Sequence, residues 1–359
     1  MGNGQIFKER IEWIDVAKGI AILMVTLLHA NLVVSLSGID TFFSADIHEF
    51  LEPVRMPLFF LVSGFFASSS IRSSWKSLWN RRIAQYIWLL VIWSTIMWLL
   101  SKVPAFEGDP AFPADFISFL KTIVRPLSFI WFLWCLPVYF ISAKLIQRIN
   151  RRFVLVALTA VSVLGFALSE LRNQDGLIDF IVASKAYTGA LKFFLFFWAA
   201  TQYRNEILAR VPKSVAYATV LAVAFATCVM ILWYSDQAAV DAFVSVPAAA
   251  AGVLLLLALA KVTHRSLPWG AAKLRSMGAR TVPLYVTQMP VLMLLVLPLK
   301  GVDSLTPPVA SLVHLPLAWI AILSAALISR FADALNLSWL FTAPAWVKLR
   351  DARTNPAAT

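Results

Sequence analysis

Only two cysteines occur in 359 residues, Cys135 and Cys228, far apart and each within an apolar segment. That excludes a disulfide framework and any C-x-x-C metal or redox motif, and leaves packing as their role. Charge is scarce as well: 14% of residues are charged, against 60% hydrophobic and 13% aromatic, whereas soluble domains carry about 25% charged residues. Mean hydropathy is positive. Such a chain reads as a polytopic membrane protein rather than as two or three soluble domains. The alternation of a barrel strand is missing, which excludes a transmembrane β-barrel. No G-x-S-x-G elbow or attached esterase-like domain is present, which disfavours a serine acyl-enzyme. No basic run is interleaved with stacking aromatics in a soluble region, so a nucleic-acid partner is not expected.

What is present is apolar and helical in pattern. Ten segments stand out, at 15–36, 54–70, 83–101, 128–147, 153–169, 187–203, 214–234, 241–260, 281–299 and 309–329. Most approach the ~20 residues a helix needs to cross ~30 Å of hydrocarbon. The expected fold is an all-α integral membrane bundle of about ten transmembrane helices, a single domain over 1–359 with a C-terminal tail from about 344. The first apolar run lacks a small-residue cleavage site, so it reads as a retained span. Basic residues set the orientation. Of the 31 Lys and Arg, 22 fall in connections on the N-terminal side and six in the opposite ones. The opposite connections hold most of the acids, including Asp40, Asp46, Glu49, Glu52, Glu107 and Asp109. By the positive-inside rule both termini are cytoplasmic, and the +12 formal charge is a topology and headgroup signal.

The first span, "EWIDVAKGIAILMVTLLHAN" over 12–31, carries Asp15, Lys18 and His29 where apolar residues would cost less. Positions eleven apart on a helix return to within roughly 20° of one direction and stand ~16 Å apart along the axis. Lys18 and His29 therefore share a face, with Asp15 one turn below Lys18 and about 21 Å from His29, too far to orient it as a triad partner. Asp15 and Lys18 can pair, or cap and snorkel at the inner boundary. His29 lies more than half way across, where an imidazole must face protein or a polar cavity. Its ordinary pKa suits it to proton transfer, either as a general base or in a proton relay. His48, His264 and His314 fall in loops or at span edges without metal spacing, and no metal is expected.

These residues carry a resemblance. "WIDVAKGIAILMVTLLH" resembles the opening helix of the membrane acyltransferase 3 family, in particular its fucose 4-O-acetylase-like branch. "RMPLFFLVSGFF", 55–66, is similar to the family's second span. "WKSLWNRRIAQYIWLLVIW" resembles the basic stretch leading into the third, and "FIWFLWCLPVYF", 129–140, resembles its WFL helix. "ARTVPLYVTQMPVL" is similar to a late family segment, but Gln288 stands where a His often follows Tyr285 by three, and Arg55 stands where a His often precedes Met56.

The resemblance implies an integral membrane O-acyltransferase, an acyltransferase of the class that transfers groups other than amino-acyl groups. It takes an acyl group, usually acetyl, from cytoplasmic acyl-CoA to a hydroxyl of a cell-surface or secreted carbohydrate or lipid-linked sugar. It implies a multi-pass location in a bacterial inner membrane and no permanently bound cofactor, acetyl-CoA or another acyl-CoA being the donor substrate. His29 is the expected base, with Lys18 and Asp15 below it. Arg81 and Arg82 are the expected donor-binding cations, and Arg55, Trp131, Trp134, Tyr285 and Gln288 the expected acceptor or polar pocket. A homo-oligomer is compatible with this reading. The alternative is a transporter or flippase whose polar pathway uses Asp15, Lys18 and His29. Against it, transporters of that kind often show repeated halves, and none is evident. A catalytically silent membrane partner is the third reading.

Overall fold

A computed structural model describes residues 3–39, 41–106, 112–113, 115–126, 129–170, 184–299 and 306–349. Asp40, Glu107, Asp109 and the tail beyond 349 lie outside the described residues. No strand occurs among those described. The principal helices are α1 (Asn3–Leu36), α2 (Phe42–Phe50), α3 (Glu52–Gly64), α4 (Ala84–Leu100), α5 (Phe116–Val124), α6 (Trp131–Leu145), α7 (Arg151–Glu170), α8 (Lys185–Gln202), α9 (Val215–Tyr234), α10 (Ala238–Ser266), α11 (Pro268–Ala279), α12 (Thr281–Val296) and α13 (His314–Ala334). An apolar chain in lipid has this solution because a helix satisfies its own backbone N–H and C=O groups. The protein is an integral membrane helical bundle.

Seven helical stretches are long and apolar enough to cross a bilayer by themselves: Glu12–Leu36, Trp75–Leu100, Arg151–Ser169, Val215–Tyr234, Ala238–Ser266, Thr281–Leu299 and Val309–Ala334. The other three expected segments are also helices, but of a different kind. α3 has 13 residues and α6 has 15, roughly 20 and 22 Å at ~1.5 Å per residue. α8 carries Lys185 and Lys192. All three pack against neighbouring helices, and α3 is buried along most of its length. Sequence hydropathy treats a buried short helix and a lipid-facing span alike, and the structure separates them.

Burial divides the bundle further. α1 touches α3, α10, α11, α12 and α13, and Ile14, Val16, Ala17, Ala21 and Ile22 are fully enclosed. α9 is the opposite case. It exposes Val215, Val220, Val223, Met230 and Ile231, apolar side chains for which the hydrocarbon is the partner. α3, α6, α10 and α12 each hold an internal proline, at Pro57, Pro137, Pro247 and Pro290, which bundles tolerate where neighbours re-satisfy the freed backbone groups.

Basic side chains gather round Phe66, just beyond the end of α3. There Lys18 lies 3.9 Å from the centroid of the Phe66 ring, and the Arg204 guanidinium 5.9 Å from the same ring. Arg82 donates to the Phe66 carbonyl at 3.3 Å. Close by, Asn80 donates to the Leu349 carbonyl at 2.9 Å and accepts from the Leu349 N–H at 2.7 Å. Gln85 does the same for residues 341 and 343, at 2.7 and 2.9 Å. The tail segment 338–349 is therefore docked along the start of the Trp75–Leu100 helix.

Candidate functional site

His29 is set by α1, where "ILMVTLLH" has no proline and little polarity to interrupt the helix. It is 9% exposed, and its Nδ1 is buried with no hydrogen-bond partner among the described residues. Beside it lies a cavity of about 260 Å3. Five helices frame this space: His29 comes from α1, Glu52 and Arg55 from α3, Trp131 from α6, Lys185 and Lys192 from α8, and Tyr285 from α12. Arg55 is 4% exposed. Its Nη2 donates to the His48 carbonyl at 2.8 Å, which fixes the guanidinium, while its Nε remains buried and unpartnered. Phe59 and Phe132 hold the Tyr285 ring, with centroids at 6.1 and 5.4 Å.

Three cations and one carboxylate among the described lining residues give this cavity a positive balance. Preorganised donors of that kind stabilise an oxyanion far better in a water-poor site than in bulk solvent. His29 lines the same cavity, and its imidazole is the kind of group that accepts a proton near neutral pH. A base and anion-stabilising cations round one cavity are what acyl transfer to a hydroxyl requires.

Of the residues singled out in the sequence, His29, Arg55, Trp131 and Tyr285 line this cavity. Lys185, Thr188, Gly189 and Lys192 were not among them, yet all line it too. Their signal was present: in "KAYTGALK" they stand at i, i+3, i+4 and i+7, one face of a helix. Trp134 is not in the lining; it packs against Tyr187 at 5.3 Å between centroids. Gln288 is also outside it, 1% exposed and donating through Nε2 to the Tyr285 carbonyl at 3.2 Å. Although Tyr285 and Gln288 are three apart, only the tyrosine reaches the cavity.

The remaining site residues gather at the other end of the bundle. Lys18 donates to Asp15 at 2.8 Å, so these two pair as the spacing allows. Arg82 is engaged in holding the fold, through Ser70 Oγ at 3.2 Å and the Phe66 carbonyl, while Arg81 is exposed. Arg204 joins Lys18 at the Phe66 ring. Lys18, Arg82 and Arg204 thus converge on one aromatic residue at the basic end, with α1 leading from them to His29.

A separate contact was not legible in the sequence. His48 and His314 approach edge to face with ring centroids 5.4 Å apart. Burial, then the charge of Arg55, holds the His48 imidazole down to about 4, so it is neutral at pH 7. Among the described residues no group of three or more metal-ligating side chains forms.

Comparison with known proteins places this geometry in a family. The family model described as "Acyltransferase domain", of the acyltransferase 3 type, matches residues 11–331. The chain is similar to nodulation protein NolL of Mesorhizobium japonicum, 27% identical over 154 residues, 43% of this chain and 40% of that protein. NolL of Sinorhizobium fredii is 28% identical over 137 residues, 38% of this chain and 36% of the relative. Inner membrane protein YcfT of Escherichia coli is 28% identical over 179 residues, 44% and 50% of the two chains. The match thus spans half or less of the length of these relatives. No solved structure matches. With the family model matching residues 11–331, which include every described residue that lines the His29 cavity, this chain belongs to the acyltransferase 3 family.

Proposed function

We propose that this protein is a bacterial inner-membrane O-acyltransferase. It moves an acyl group, acetyl in the first instance, from cytoplasmic acyl-CoA to a hydroxyl of a cell-surface or secreted carbohydrate. The observation that carries this reading is the enclosed His29, with an unpartnered nitrogen, beside a cavity that also holds Arg55, Lys185 and Lys192. Family membership and the two NolL relatives support it.

In this mechanism neutral His29 takes the proton of the acceptor hydroxyl as its oxygen attacks the thioester carbonyl carbon. The new C–O bond gives a tetrahedral oxyanion, which Arg55 stabilises. Collapse breaks the C–S bond, and the CoA thiolate takes the proton back from the imidazolium, leaving ester, CoA thiol and neutral His29. Both termini face the cytoplasm in this reading, so the basic end with Lys18, Arg82 and Arg204 meets the donor. Those cations suit the donor's phosphates, and the slender pantetheine spans the ~16 Å of α1 between Lys18 and His29.

Purified protein in nanodiscs, given acetyl-labelled acetyl-CoA and the saccharide fraction of a strain lacking the gene, is expected to place label on saccharide in ester linkage. Saccharide flux across protein-containing vesicles without acyl-CoA, and no labelled ester, would instead establish the transporter reading. On the donor side, Lys18→Ala and Arg204→Ala are each expected to raise the KM for acetyl-CoA about tenfold. A charge-assisted hydrogen bond contributes about 1.5–3 kcal/mol, and ~1.4 kcal/mol is tenfold in affinity. An unchanged KM in both variants would remove the donor from the Phe66 cluster.

A further inference from the structure

We propose that a second cavity, at the end of the bundle away from the Phe66 cluster, is the subsite that holds the acceptor as a polyhydroxylated sugar. This rests on the acyltransferase reading and deepens it. The cavity measures about 270 Å3 and is lined by Glu49, Glu52, Lys192, Phe193, Trp233 and Asp241, among others. Glu52, Lys192 and Phe193 line the His29 cavity too, so the two spaces share a wall. Taken together they fall in the ~300–1,000 Å3 range of small-molecule sites.

The chemistry of the wall selects the ligand class. Ionised carboxylates are acceptors only, and they match a ligand presenting several O–H donors. Their bonds to hydroxyls are the strong, charge-assisted kind. Among the described residues these acids do not assemble into a group that holds a metal ion. Glu49, Glu52 and Asp241 line one cavity together, and several acceptors there suit a ligand with several hydroxyls. Asp241 Oδ1 is buried without a hydrogen-bond partner among the described residues.

Trp233 supplies the apolar complement. It is 38% exposed and is propped edge to face on Phe50, centroids 6.2 Å apart. A half-exposed indole face packs against the C–H face of a pyranose while the carboxylates take the hydroxyls. Across the shared wall, His29 and Arg55 are both more than nine-tenths buried, and each has an unpartnered nitrogen. A sugar anchored on Trp233, Glu49 and Asp241 directs one hydroxyl past Glu52 and Lys192 toward His29. The cavity lies beyond His29 from the Phe66 cluster, so donor and acceptor enter from opposite ends and meet at the base.

Steady-state kinetics on the reconstituted full-length protein test this, with labelled acetyl-CoA and saccharide extracted from the gene-deleted strain. Trp233→Ala, Asp241→Asn and Glu49→Gln are each expected to raise the KM for that saccharide at least tenfold. The KM for acetyl-CoA and the kcat at saturating saccharide should stay within about threefold of wild type. Trp233→Phe, which keeps an aromatic face, should recover most of the loss, and unfolding midpoints in detergent confirm that the variants are folded. If wild type transfers label but none of the variants changes the saccharide KM, the subsite is rejected and the acyltransferase reading stands. If wild type transfers no label to any component of the extract, both fall.

Discussion

His29→Ala is expected to reduce acyl transfer by about 10²–10⁴, the usual contribution of a general base, while the KM for acetyl-CoA changes little. Among the described lining residues His29 carries the imidazole, a group that can both take the hydroxyl proton and return it to the leaving thiolate. Lys185 and Lys192 line the same space but carry their charge into it and serve better as anion stabilisers. His29→Gln separates chemistry from packing. Its amide fills much of the imidazole volume and can hydrogen-bond, yet it cannot exchange a proton, so it is expected to be as slow as the alanine variant. Arg55→Lys, which keeps the charge but loses the planar fork, is expected to lie between them and wild type. Measured single-turnover transfer of label, with protein levels matched, decides the matter. Activity in His29→Gln within tenfold of wild type would show that the base lies elsewhere.

Much of this site could be read from the chain because helix periodicity is rigid. Given α1 as a helix, the eleven-residue spacing put Lys18 and His29 on one face, and the i, i+3 spacing brought Asp15 to Lys18, as the 2.8 Å pair shows. The apolar segments likewise marked where helices occur. Relations between helices were another matter. That α8 turns its Lys185–Lys192 face toward His29 depends on the packing of α3, α6 and α8, and hydropathy had already absorbed Lys192 into an apolar segment. Arg82 was legible as a base but not as a strut to Phe66 and Ser70, since both partners lie at the end of the apolar segment 54–70 and the contact depends on how the chain folds back there. Gln288 shows the limit in the other direction. Correctly spaced from Tyr285, it bonds back to its own helix.

Substitution of Gly278 or Gly19 by valine is expected to abolish recovery of folded protein, for a reason that starts far from His29. α11 crosses the basic end of α1 at backbone distance: a Cβ on Gly278 would overlap the carbonyl oxygen of Asp15, and one on Gly19 would overlap that of Leu274. Neither clash can be relieved by rotating a side chain, because both opposing atoms are main chain. Small residues permit this approach where helices associate without a hydrophobic driving force, and the Arg275–Glu12 ion pair at 2.9 Å closes the same junction. Overpacking by a single methyl costs about 1–3 kcal/mol or more, a sizeable part of the ~5–15 kcal/mol that holds a folded domain. Gly278→Ala is therefore expected to lower the unfolding midpoint in detergent by several degrees. Gly270→Ala, on the same helix with only Leu267 nearby, should be neutral or slightly stabilising through helix propensity. The effect reaches function through Asp15 and Lys18, which flank Gly19 and Gly278 at this junction. Gly278→Ala protein that does fold should show a raised KM for acetyl-CoA with kcat largely kept, since the damage lies at the donor end and not at His29. Equal melting and equal KM for Gly278→Ala and Gly270→Ala would mean that α11 is not packed on α1 in the membrane.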